Sequence, residues 1–142
     1  MEDLLVDTAV WIHALRRGET VAAIRRVAPE ATPWLSAVVL EELYAGARDR
    51  DRGIVRQLER EFESVSRIET PSFQDWKDAG LVVGEVAQVY GYDQIARGRL
   101  TNDALIAMSA ARRGFTVLTT NRKDYARLAE FRPLRWRLVE RP

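Results

Sequence analysis

The chain has 142 residues, of which 46% are hydrophobic and 30% charged, with a formal net charge of +1. That suffices for one domain around a single sizeable core, and it excludes a molecule that binds nucleic acid through its overall charge. The absence of cysteine rules out disulfides, thiolate zinc sites and cysteine nucleophiles, and suits a reducing cytosol. In chain order, Leu4-Leu5-Val6 reads as a short buried strand. Thr8 can cap a following helix through Trp11, Ile12 and Leu15, which Gly18 stops. A second helix holds Val21, Ala22, Ile24 and Val27 and ends at Pro29. Trp34-Leu35 suggests a second strand, and Ser36 caps a helix from Ala37 to about Ala47. Arg50 to Glu63 carries Ile54, Val55, Leu58 and Phe62 at helical spacing. Val65 to Ile68 reads as a third strand. Ser72-Phe73-Gln74-Asp75 resembles a capping box opening a long helix that ends near Gly91. Tyr92 to Leu100 reads as a loop. Thr101 or Asn102 then caps a helix that Gly114 terminates. Phe115 to Thr120 is a strand, Asp124 to Ala129 a short helix, and Leu134 to Val139 a last strand.

Strands alternating with helices predict an α/β fold, a three-layer α/β/α sandwich around a mostly parallel sheet, with residues 1–142 as one domain. No repeat, low-complexity tract or linker divides the chain. The acidic start Met1-Glu2-Asp3 lacks the basic region of a secretory signal. The longest charge-free stretch, Ala31 to Leu40, is far below the ~20 residues of a membrane span. These features read as a cytoplasmic location.

Four acids stand where an isolated charge is costly. Asp7 closes the apolar run Leu4-Leu5-Val6. Glu42 shares the inward stripe of Val38, Val39, Leu43 and Gly46, whereas Glu41 points to solvent. Asp103 heads the small apolar face of Ile106, Ala107, Ala110, Ala111 and Gly114. Asp124 follows the run Phe115 to Thr120. Each has an ordinary explanation as well: an N-cap for Asp7, a rim ion pair for Glu42, a first-turn acid for Asp103, and a surface pair with Arg122, Lys123 or Arg127 for Asp124. Asp7 and the Thr119–Asp124 segment both lie past strand ends, where open parallel sheets bind ligands. Converging carboxylates suit a hard divalent cation, Mg²⁺ or Mn²⁺, and phosphodiester hydrolysis by a metal-activated water. Such chemistry needs no histidine, and His13 reads as structural or exposed.

Four segments resemble the motifs of PIN-domain proteins: Leu5-Val6-Asp7-Thr8 with Trp11-Ile12; Glu42-Leu43-Tyr44-Ala45-Gly46; Asn102-Asp103-Ala104-Leu105-Ile106-Ala107; and Val117-Leu118-Thr119-Thr120-Asn121 with Lys123-Asp124-Tyr125. They occur in the family's order and spacing over nearly the full length. The compact form is most similar to VapC-type toxins of toxin–antitoxin pairs. The resemblance implies a Mg²⁺- or Mn²⁺-dependent endoribonuclease, held inactive by a cognate antitoxin and forming a homodimer. By the same resemblance Asp7, Glu42 and Asp103 are catalytic metal ligands. Asp124 and Asn121 are alternatives for the fourth position, and Thr8 and Thr119 are supporting hydroxyls. Arg16-Arg17, Arg25-Arg26, Arg48 to Arg56 and Arg112-Arg113 are candidate contacts to RNA phosphates. The helices around Ile24–Val27 and Ile54–Phe62 are candidate walls of an antitoxin groove. Alternatives are a housekeeping RNA-processing nuclease, a non-catalytic RNA- or protein-binding module, and a receiver-like signalling domain. The receiver reading wants paired acids after the first strand, whereas Glu2-Asp3 precede it.

Overall fold

The computed structural model describes residues 1–94 and 97–139. Five strands, β1 (Asp3–Val6), β2 (Thr32–Ser36), β3 (Ile68–Glu69), β4 (Thr116–Thr119) and β5 (Trp136–Leu138), form one sheet in the order β3-β2-β1-β4-β5. Every pairing is parallel, with Leu5 opposite Trp34 on one side and Val117 on the other. A parallel sheet covered on both faces needs apolar runs rather than alternation. Leu4, Leu5 and Val6 are fully buried, and all four residues of β4 are buried.

The helices are α1 (Thr8–Arg16), α2 (Val21–Val27), α3 (Ala37–Gly46), α4 (Arg52–Glu63), α5 (Phe73–Tyr90), α6 (Arg97–Arg113) and α7 (Arg122–Phe131), with a 3-10 turn at Tyr92–Gln94. Right-handed crossovers place α1 to α4 on one face of the sheet and α5 to α7 on the other. The observed packing agrees: α1 lies on α3 and α3 on α4, while α5, α6 and α7 pack together. The expected three-layer α/β sandwich is therefore the fold. The chain leaves β1 for β2 in one direction and reaches β4 from the other, so the connections reverse between β1 and β4. That switch point is where a doubly wound sheet opens a crevice at its carboxyl edge.

Local signals explain most boundaries. Ser36 caps α3 by accepting from the Val38 amide, and Ser72 with Asp75 forms a complete capping box on α5. Four expectations need correction. Asp7, not Thr8, caps α1, accepting from the Thr8 amide at 2.8 Å. β3 begins at Ile68 rather than Val65, because Ser66 adopts a left-handed φ of 57°. The Arg67 amide there bonds the Phe62 carbonyl and closes α4. Helix α6 starts at Arg97 rather than after Thr101 or Asn102, since burial of Leu100 holds a further turn against the core. The anticipated loop at 92–100 is thus a 3-10 turn followed by helix, with residues 95 and 96 outside the described region. Gly46, expected on the inward stripe of α3, is exposed, and a Cβ there would meet nothing within 4 Å.

Candidate active site

Asp7 leaves the end of β1, Glu42 sits on α3, Asp103 lies in the second turn of α6, and Asn121 caps α7 just after β4. Because α3 touches α6, the helix carrying Glu42 meets the helix carrying Asp103 at the switch point. An open cavity of about 380 Å³ there is lined by Asp7, Thr8, Glu42, Asp103, Asn121 and Arg99, among others. Three of the four acids singled out in the sequence thus face one space, although 96 residues separate Asp7 from Asp103 in sequence.

Each acid is held by a short polar contact. The Thr119 hydroxyl donates to Asp7 Oδ2 at 2.7 Å, and the Thr8 amide to Asp7 Oδ1 at 2.8 Å. The Thr8 hydroxyl donates to Glu42 Oε1 at 2.7 Å. Asn121 Nδ2 donates to Asp103 Oδ2 at 3.2 Å and to Asp124 Oδ2 at 2.9 Å, while its Oδ1 accepts from the Asp124 amide. The Thr8 and Thr119 hydroxyls thus lie on Glu42 and Asp7 respectively. Asn121 presents its amide nitrogen to the carboxylates, and its oxygen is used in capping α7. Asp124 does not line the cavity itself; it stands behind Asn121.

The electrostatics are those of crowded, poorly solvated acids. Asp7 is 4% exposed and Asp103 6%, and among the described residues none of Asp7, Glu42, Asp103 and Asp124 is ion-paired with Arg or Lys. The surface-pair explanation for Asp124 is therefore not what the structure shows; Arg127 instead stacks on Tyr90. Burial raises the pKa of Asp7, against the lowering effect of its Thr119 and Thr8 hydrogen bonds. Burial, then the Asp7 charge, and then hydrogen bonding and charge from Asp124 push Asp103 up to about 9. The first-turn explanation of Asp103 also fails, because α6 begins a turn and a half earlier.

The donor set is all oxygen, which fits a hard divalent cation. Among the described residues no three acidic or histidine side chains already surround a single ion position. A cation of this kind completes its shell with water and substrate oxygens rather than with protein alone. Arg99 lines the same cavity one turn before Asp103. The sequence reading missed it because it placed that turn in a loop. The other buried acids, Glu69 and the capping residue Asp75, are neutralised by Arg112 and Arg113 away from this site.

A second groove, of about 450 Å³, runs between α1, α3 and α4 over Ile12, Leu15, Leu43 and Ile54. It shares Ile12 and Glu42 with the acid cavity. Ile24, Val55, Leu58 and Phe62, expected along docking helices, are buried members of the core.

A family model of the PIN domain matches residues 4–131. The chain belongs to the PIN domain family. Among solved structures, PIN-domain similarity extends to VapBC2 from Rickettsia felis bound to a promoter DNA fragment, with 22% identity, TM-score 0.69, and coverage of 97% of this chain and 99% of that one. DNA-bound VapBC from Salmonella typhimurium gives 20% identity, TM-score 0.69, and coverage of 96% and 98%. VapBC-5 of Mycobacterium tuberculosis, a member of the VapBC family of toxin–antitoxin systems, gives 21% identity, TM-score 0.64, and coverage of 98% and 100%. These likenesses establish a shared fold. No curated protein sequence matches the chain. Among the described residues, no helix of this PIN-domain chain is long and apolar enough to cross a membrane.

Proposed function

We propose that this PIN-domain chain is a metal-dependent endoribonuclease, the toxin of a toxin–antitoxin pair, acting in the cytoplasm. The observation that carries the reading is the convergence of Asp7, Glu42 and Asp103, with Asn121, on one cavity at the sheet's switch point. A Mg²⁺ or Mn²⁺ ion held by these carboxylates would supply an activated water and neutralise charge on the reacting phosphodiester. The chain's own residues do the positioning. Thr119 and the Thr8 amide fix the rotamer of Asp7, and the Thr8 hydroxyl turns Glu42 toward the same space. Asn121 donates to both Asp103 and Asp124, so the fourth position is the Asn121–Asp124 pair, Asn121 at the cavity wall and Asp124 behind it.

An RNA substrate, an antitoxin partner and a homodimer are carried over from the PIN and VapC resemblance. The likeness to toxin–antitoxin complexes supports the antitoxin. The groove that shares Ile12 and Glu42 with the cavity offers a place from which a bound segment would block the acids.

The test is cleavage of a structured RNA by the purified chain with Mg²⁺ or Mn²⁺. Asp7→Asn and Asp103→Asn should each lower the rate by at least about 100-fold, the scale of losing a metal-centred transition-state contact. Wild-type rates from Asp7→Asn would overturn the nuclease reading. Growth arrest on expression, relieved by a small neighbouring gene product, separates a toxin from an RNA-maturation enzyme.

A further inference from the structure

Tyr125 lies in the first turn of α7 and is fully buried. Its hydroxyl finds no acceptor in good hydrogen-bond geometry. Buried phenols almost always have a partner, and an orphaned one calls for a reason. Its surroundings supply one. Tyr125 lies one turn after Asn121, which lines the acid cavity, and its amide bonds the Asn121 carbonyl; the charges of Asp7, Asp103, Glu42 and Asp124 all bear on its hydroxyl. A phenylalanine would fill the same volume without the unsatisfied oxygen, so nothing in the packing of α7 requires a tyrosine.

We propose that Tyr125 is a positioning residue for Asp7, its hydroxyl donating to the carboxylate from the protein side when a divalent cation engages it from the cavity. The proposal rests on the metal-dependent reading of the site. Asp7 already accepts from the Thr8 amide on one oxygen and from Thr119 on the other. A third donor would leave one of the roughly four lone-pair sites of the carboxylate for the cation. Among the described residues the Tyr125 hydroxyl itself has no hydrogen-bond partner. Partners of this kind fix the orientation of metal-ligating side chains, and their loss typically weakens metal affinity by at least about 10-fold.

The experiment compares wild type with Tyr125→Phe. Mn²⁺ binding is read from the free-ion electron paramagnetic resonance signal, and melting is measured in chelator. The expected result is about 10-fold weaker Mn²⁺ binding by Tyr125→Phe, with a chelated melting temperature equal to or above wild type. A second reading uses near-ultraviolet absorbance on adding Mg²⁺. Wild type should show a tyrosine difference signal that Tyr125→Phe lacks, although its three other tyrosines remain. Equal Mn²⁺ affinity, or no tyrosine signal in a wild type that binds Mn²⁺, overturns the role of Tyr125 alone. A lower melting temperature of Tyr125→Phe in chelator with unchanged affinity assigns the residue to packing and overturns it too. A wild type that binds no Mn²⁺ overturns both this inference and the metal-dependent function.

Discussion

At the residue scale, Asp103 is an acid held far from its ordinary chemistry. Its carboxyl is held near a pKa of about 9, against 3.8 for an unperturbed Asp, chiefly by burial and then by the Asp7 charge. Below about pH 4 both folded and unfolded chains carry its proton. As pH rises above that, the unfolded chain releases the proton while the metal-free fold retains it. Stability in chelator therefore falls between about pH 4 and pH 9 through this group. Asp103→Asn cannot titrate, and its side-chain oxygen can still accept from Asn121 Nδ2. The variant should melt at least about 3 °C above wild type at pH 8 in chelator, with a flatter pH dependence. Melting scans from pH 5 to pH 9 with chelator present check this; parallel wild-type and variant curves would mean that the buried acid is not strained. In Mg²⁺ the order should reverse, because the variant lacks the carboxylate proposed to hold the ion.

At the element scale, the cap signals were legible because they are local. Ser36 and the Ser72–Asp75 box each satisfy backbone amides within a few residues, so spacing alone finds them. The start of α6 was not legible. Thr101 and Asn102 look like caps, but burial of Leu100 overrides that preference and adds a turn. The end of α4 misled for the opposite reason: a serine occupies the left-handed position where glycine is the usual marker. Nor could the sequence show that Arg112 reaches back more than thirty residues. Arg112 donates to Asp75 through Nε at 2.9 Å and to Glu69 through an Nη at 2.6 Å. It thereby fastens edge strand β3 and the α5 cap to the end of α6. Glu69 and Asp75 are each 3% exposed at the side chain. Removing the shared cation leaves Asp75 buried without a partner charge and Glu69 with Arg113 alone. Arg112→Ala should cost about 3 kcal/mol, the low end for a broken buried pair because Arg112 is itself partly exposed. Ser72→Ala should cost about 1 kcal/mol by loss of half the capping box. Urea unfolding measures both; an Arg112→Ala cost no larger than that of Ser72→Ala would show the network to be a solvated surface feature.

At the scale of the whole molecule, site and topology are one fact. Strand order reverses between β1 and β4, and the site's residues arrive there from β1, α3, α6 and the β4–α7 turn. The sequence made the acids visible as charges at the edges of apolar runs. Their convergence depends on pairings such as Leu5 with Val117, which bring together segments over a hundred residues apart and which no local pattern reveals. A ligand at such a place fastens the two halves of the fold to each other, so its binding energy should appear as global stability. A cation that binds only the folded chain contributes RT ln(1 + [M]/Kd), about 2.7 kcal/mol at one hundred times Kd. For a chain of this size that is a rise of roughly 5–10 °C in Tm. Asp7→Asn and Asp103→Asn should each remove most of it, whereas Arg112→Ala should lower the starting Tm and leave the Mg²⁺-induced rise intact, because Arg112 lies outside the cavity. Thermal melts across a Mg²⁺ titration distinguish the two behaviours. A rise that survives Asp7→Asn and Asp103→Asn alike would place the ion somewhere other than between β1 and β4.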